Sequence, residues 1–168
     1  MTDQAADRRD ELTRRVRNNR GRRLWPDFQR LLQVVLDREL TERDLLSVEE
    51  TESLKRLFYE RLGQTTGVSR RVVAPQSVAA LWAQVGRLAN SLPDLECVLL
   101  HQHDRYIGAV RVPAAAVLRD PARVWGAVGM DLRLTTDGAV DGFCFEFNHS
   151  HPGDEYELST WGRFTESP

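Results

Sequence analysis

Residues 131–162 read DLRLTTDGAVDGFCFEFNHSHPGDEYELSTWG, with apolar and polar residues alternating through three successive runs. Leu132 and Leu134, then Phe143, Phe145 and Phe147, then Tyr156 and Leu158 fall on every second position of their run. That period belongs to a strand buried on one face, because successive side chains point to opposite sides of a sheet. Asp137-Gly138 and Asp141-Gly142 are the residue pairs that let such strands turn back on one another. The stretch therefore predicts three antiparallel strands with those apolar residues turned to a core. Cys144, Glu146, Asn148, Glu155, Glu157, Ser159 and Trp161 are left for the opposite face.

The preceding half of the chain supplies what such a sheet needs. Val78, Leu81, Trp82, Val85, Leu88, Ala89 and Leu92 recur at helical spacing, from an N-cap at Ser77 to a break at Pro93-Asp94. A stripe that broad has to be buried, and the sheet is the natural surface for it. Segments 96–102 and 106–112 predict a hairpin turning at 103–105, its first strand apolar on both faces and so interior to the sheet. One or two short helices, punctuated by Pro121, fill 113–128. The expected class is α+β: an N-terminal helical segment, then an antiparallel sheet of about five strands with helix packed on one face.

Nearer the start, residues 2–20 predict a charged helix with little apolar content beyond Leu12 and Val16. Gly21 punctuates it, and a second helix over 26–39 opens with Pro26 in its first turn, where the missing N–H costs nothing. Ser47 and Glu50 form a capping box for a third helix, which carries Leu54, Leu57, Phe58 and Leu62 and stops at Gly63. The stretch 63–76 reads as the longest loop and the natural boundary. The organisation is then a helical region at 1–62 and an α+β domain at 63–168, or one continuous domain across both.

No apolar run approaches the ~18 residues of a membrane span, and residues 1–20 lack the apolar centre of a secretory signal, so a cytoplasmic protein is expected. Cys97 and Cys144 fall in predicted strands and read as small buried hydrophobes. There is no Walker loop, no Gly-x-Gly-x-x-Gly and no Gly-x-Ser-x-Gly elbow; with the carboxylates at outward strand positions, neither enzyme activity nor a cofactor is expected. A helix-turn-helix reading of the helices flanking 40–46 fails on charge, since Glu49, Glu50 and Glu52 at the second helix's start would repel phosphates.

Formal charge runs +4 over residues 1–30, −3 over 31–62, +3 over 63–92 and −6 over 93–168. That polarity defines two candidate surfaces. At the front, Arg14, Arg15, Arg17, Arg20, Arg22 and Arg23 could serve a nucleic-acid-associated regulator by supplying the electrostatic term of phosphate binding. Lys55 is the sole lysine beside all these arginines, however, a bias that marks a GC-rich coding sequence and weakens the case for each arginine as a phosphate ligand. At the back, Asp137, Asp141, Glu146, Asp154, Glu155 and Glu157 with Trp161 describe an acidic sheet face around an aromatic anchor, suited to a basic protein partner.

All four histidines fall in two His-x-His pairs, His101/His103 and His149/His151. Residues i and i+2 on a strand share a face, so the pairs are the candidates for a metal-dependent enzyme; their position at predicted turns argues instead for exposed loop histidines. His149-Ser150-His151-Pro152 resembles the His-x-His-Pro core of the JAMM metalloproteases. No aspartate follows Asp154, so that family's third ligand is missing and a catalytic metal is not expected there.

A Leu-x-Leu strand at Leu132 and Leu134, an Asp-Gly turn at 141–142, the FCFEF strand and a closing Tyr-Glu-Leu-x-x-Trp-Gly at 156–162 make up the last third of the chain. This layout resembles immunity proteins of bacterial toxin systems, most nearly the YxiF type. The resemblance implies a protein that binds a cognate toxin, often a basic nuclease, and occludes its active site. It carries over no individual functional residue.

Overall fold

The frame is one antiparallel sheet, seen in a computed structural model that describes residues 3–129, 131–148 and 155–165. Its strands in chain order are β1 (Ser69–Val73), β2 (Glu96–Leu100), β3 (Val110–Pro113), β4 (Leu132–Thr135), β5 (Gly142–Asn148) and β6 (Glu155–Trp161), and across the sheet they run β1-β6-β5-β4-β2-β3. The helices are α1 (Asp3–Leu36), α2 (Val48–Leu62), α3 (Val78–Leu88), α4 (Asp104–Ile107), α5 (Ala114–Leu118) and α6 (Pro121–Val128). The class is α+β.

The carboxyl-terminal block forms as its alternation dictates: β4 pairs with β5 and β5 with β6, placing Phe145 opposite both Leu132 and Leu158. Leu132, Leu134, Phe143 and Phe145 enter the main core with Leu81, Trp82 and Val85 of α3, while Tyr156 and Leu158 pack at its margin. β2 lies inside the sheet between β4 and β3, with Cys97 and Leu99 in this core.

A sixth strand exceeds the expected count. β1 lies within the stretch expected to be a loop and pairs with β6, from Ser69 opposite Thr160 to Val73 opposite Tyr156. It is an edge strand whose only buried residue is Val73, so its sequence carries no alternation. Arg70 and Arg71 are charges of the kind that keep an edge from pairing with another chain.

The second correction concerns the hairpin at 103–105. Tyr106 and Ile107 belong to α4 rather than to a strand; β2 and β3 still pair, Glu96 opposite Pro113. Ser77 stands at the N-cap position of α3 without a side-chain capping bond.

The third correction is α1, one helix where two were expected. Pro26 sits in its interior, which costs ~3 kcal/mol through a lost hydrogen bond and a ring clash. Burial decides the matter: Trp25, Phe28, Leu32, Val35 and Leu36 all enter the main core, each worth about 1.5–3 kcal/mol. Gly21 does not break the helix. It lets α1 approach α4, since a methyl group there would overlap the Tyr106 carbonyl. Gly21→Ala is therefore expected to lower the melting temperature by about 5 °C, an overpacking cost near 2 kcal/mol in a chain of this size. An unchanged or raised melting temperature, as helix propensity alone would give, would refute the close approach.

Helix also covers part of the sheet's second face. Ser47 accepts from the Glu50 N–H and Glu50 accepts from the Ser47 N–H, the expected capping box, and α2 then lays Leu54 and Phe58 over Val98, Leu100, Cys144 and Trp161. Its start is fixed to the sheet: Thr51 Oγ1 accepts from Ala109 N at 2.8 Å and donates to Ser47 O at 2.8 Å.

Candidate functional site

Of the residues assigned to an acidic partner-binding face, Trp161 and Asp141 are interior. Alternation aims Trp161 away from the main core, as expected, but α2 occupies that side. Trp161 is 0% exposed, its ring 5.2 Å from that of Phe58, and its Nε1–H donates to Ala139 O at 3.0 Å. Asp141 accepts from the Arg163 backbone N–H at 2.8 Å and from its Nε and Nη2 at 3.1 and 2.9 Å. Burial pushes the Asp141 carboxyl up, but the hydrogen bonds from Arg163 and Thr136 outweigh it and hold the group below the usual aspartate range.

The remaining acids are largely matched within the chain. Arg133 reaches Asp131 at 2.8 Å and Glu146 at 3.0 Å, and Arg70 lies 3.7 Å from Glu157. Glu155 is half-buried, and Asp154 lies outside the described residues. Asp137 keeps 71% of its side chain exposed while Arg111 Nη1 spans both its oxygens at 3.0 Å. The sheet face as drawn from the sequence is thus part core and part neutralised.

The first histidine pair does not share a strand face, because β2 ends at Leu100. His101 is buried with both ring nitrogens in use: Nε2 donates to Gly108 O at 3.0 Å, so Nδ1 accepts from the His103 N–H at 3.2 Å. No lone pair is left for a metal. Burial lowers its pKa to about 3, and burial also lowers that of half-buried His103. His149 and His151 lie outside the described residues; among the described residues no group of three or more His, Cys, Asp or Glu is placed to hold a metal ion. Burial raises the Cys97 thiol to about 12 and the Cys144 thiol higher still, so both stay protonated and unreactive.

A cleft of about 220 Å³ gathers Lys55, Tyr59, His101, Asp104, Asp131 and Arg133 at one end of the sheet. Lys55 is 3.0 Å from buried Asp104 and 3.7 Å from Glu52, and Arg133 holds the two acids already named. Burial works against the Arg133 charge, yet Tyr59 and its carboxylates more than offset that and keep it protonated. The cleft's charges are paired with one another, and Arg133 Nε alone among the described buried side-chain polar atoms has no hydrogen-bond partner.

Two grooves are more open. One, about 420 Å³, lies between α2 and the turn at 137–139; Leu46, Leu54 and Leu57 line it, with Glu49, Glu50 and Asp137 beside them. Leu57 is 40% exposed, and Val140, next along the turn, 67%. The sequence pointed to Asp137 and listed Leu57 in the apolar stripe with Leu54, Phe58 and Leu62; Leu54 and Phe58 are buried, and the stripe is wider than what the helix buries. The other groove, about 580 Å³, runs along α1 and takes in Arg14, Arg17 and Arg22. Of the remaining α1 candidates, Arg15 pairs with Glu11, as does Arg14; Arg20 lies 4.3 Å from the centre of the Tyr106 ring; Arg23 is exposed.

No protein-family model, curated protein or solved structure matches this chain. Among the described residues no helix is long and apolar enough to cross a membrane.

Proposed function

We propose that the chain is a protein-binding module of the immunity type, an inhibitor that engages a basic toxin or nuclease. The observation that carries this reading is the groove between α2 and the turn at 137–139, where exposed Leu57 adjoins Glu49 and Glu50, and Asp137 at the rim is held by Arg111. Exposed apolar side chains supply contact area that a partner can desolvate, while flanking acids steer a cationic surface and reject an anionic one. The sequence resemblance to YxiF-type immunity proteins agrees with the choice of partner. The working surface moves, however, from the face of β5 and β6 to the outer side of α2. A fragment beginning at residue 63 would lose that surface and uncover Trp161.

The test is co-expression of the full chain with the product of the adjacent gene, expected to be toxic on its own, scored as cell survival. The native chain is expected to protect and Leu57→Glu to fail, a hot-spot loss of about 2 kcal/mol or more in binding. Protection by Leu57→Glu equal to the native chain's would remove the groove from the account.

A further inference from the structure

The groove along α1 has a composition unlike the one assigned to a protein partner. Its α1 wall carries Arg14, already paired with Glu11, and Arg17 and Arg22; the facing wall carries Glu42 and Glu49, and Tyr106 contributes aromatic surface above buried Trp25. The three arginines are spaced by about 4.5 and 7.5 Å along the helix axis and, at about 100° per residue, Arg17 and Arg22 flank Arg14 on opposite sides, so they bracket the groove with charge rather than marking a point. At the edge, the guanidinium groups of Arg20 and Arg105 lie 4.3 and 4.6 Å from the Tyr106 ring centre. A nucleobase stacks on a guanidinium plane much as it does on an aromatic ring.

The acidic wall decides which polymer fits. A duplex laid in the groove would bring its second phosphate strand against Glu42 and Glu49. A single strand would turn its bases that way, and a carboxylate accepts hydrogen bonds from exocyclic amines. We infer that this groove binds a short single strand of nucleic acid. Its phosphates lie against Arg14, Arg17 and Arg22, and its bases face the Tyr106 stack and the two glutamates. The two grooves meet at Leu46 and Glu49, but the phosphate contacts lie on α1 and the apolar contact of the protein-binding groove on α2, so the Arg17/Arg22 and Leu57 variants distinguish failure of one from failure of the other.

The experiment is fluorescence anisotropy of the full chain with labelled RNA and DNA single strands of about twelve nucleotides and with the matching duplex, at about 50 and 200 mM salt. Both single strands should bind more tightly than the duplex, and the RNA and DNA arms show which sugar is preferred. Arg17→Gln with Arg22→Gln should weaken binding about tenfold near physiological salt and make the salt slope shallower by about 1.4, or ~0.7 for each lost phosphate contact. Arg8→Gln with Arg9→Gln, exposed on α1 away from the groove, should change affinity less than about twofold. Circular dichroism checks that each variant keeps its helix, and Arg14→Gln replaces the first pair should it unfold. Absent binding, equal binding of the duplex, an indifferent groove variant, or an equal loss in the Arg8/Arg9 variant would each overturn the inference.

Discussion

Lowering the pH from 7 to about 4.5 is expected to cost the folded state about 3 kcal/mol through His101 alone. The group is an ordinary imidazole when unfolded, with a pKa near 6.5, and burial brings it to about 3 in the folded chain. Between those values the unfolded state binds the extra proton, so stability is complete above about pH 6.5 and falls as pH drops toward 3. The cause is geometric as well as dielectric. With Nε2–H donating to Gly108 O and Nδ1 accepting from the His103 N–H, a second ring proton would need an acceptor where an N–H donor now points. His103 adds to the same trend, and Lys55 contributes to the depression through its charge. Urea unfolding at the two pH values reads the effect. The His101→Gln chain should start less stable at pH 7 yet lose far less on acidification; a drop as large as the native chain's would place the titration elsewhere.

Trp161→Ala should cost about 3–5 kcal/mol, the range for removing a fully buried aromatic. Three contacts are lost together: the Phe58 ring, the hydrogen bond to Ala139 O and the packing on Gly142, where a methyl group would overlap the indole. Trp161→Phe keeps much of the apolar contact and gives up the donor, so it should cost roughly 1–3 kcal/mol, the penalty of a buried acceptor left unmatched plus some lost volume. If Trp161 were instead a partner-binding anchor, both variants would unfold at the native urea concentration and only binding would suffer. Denaturation midpoints separate the two descriptions.

How far the fold could be read from the sequence depended on burial. β4 and β5 were legible because their large apolar residues all turn to the main core, which writes itself as alternation, even though Cys144 on the other face of β5 is buried as well. β1 was not, because an edge strand with one buried residue leaves no such pattern. Gly21 and Pro26 misled for a common reason: both carry local penalties that α1 overcomes by long-range packing, on α4 and on the main core. At the site, Asp137 could be found from its turn, whereas Leu57 could not. A helical stripe shows which residues are apolar and not how much of the stripe the neighbouring sheet is wide enough to cover. Trp161 failed in the opposite direction. Its side of the strand was right, but that α2 would fold back over this side lay in contacts distant along the chain.

The most direct test of the proposed role is calorimetric titration of the full chain with the purified product of the gene adjacent to its own. A one-to-one complex is predicted, weakened at least tenfold by Leu57→Glu and left intact by Arg17→Gln with Arg22→Gln. No heat of binding to that product, or a complex indifferent to Leu57, would contradict it.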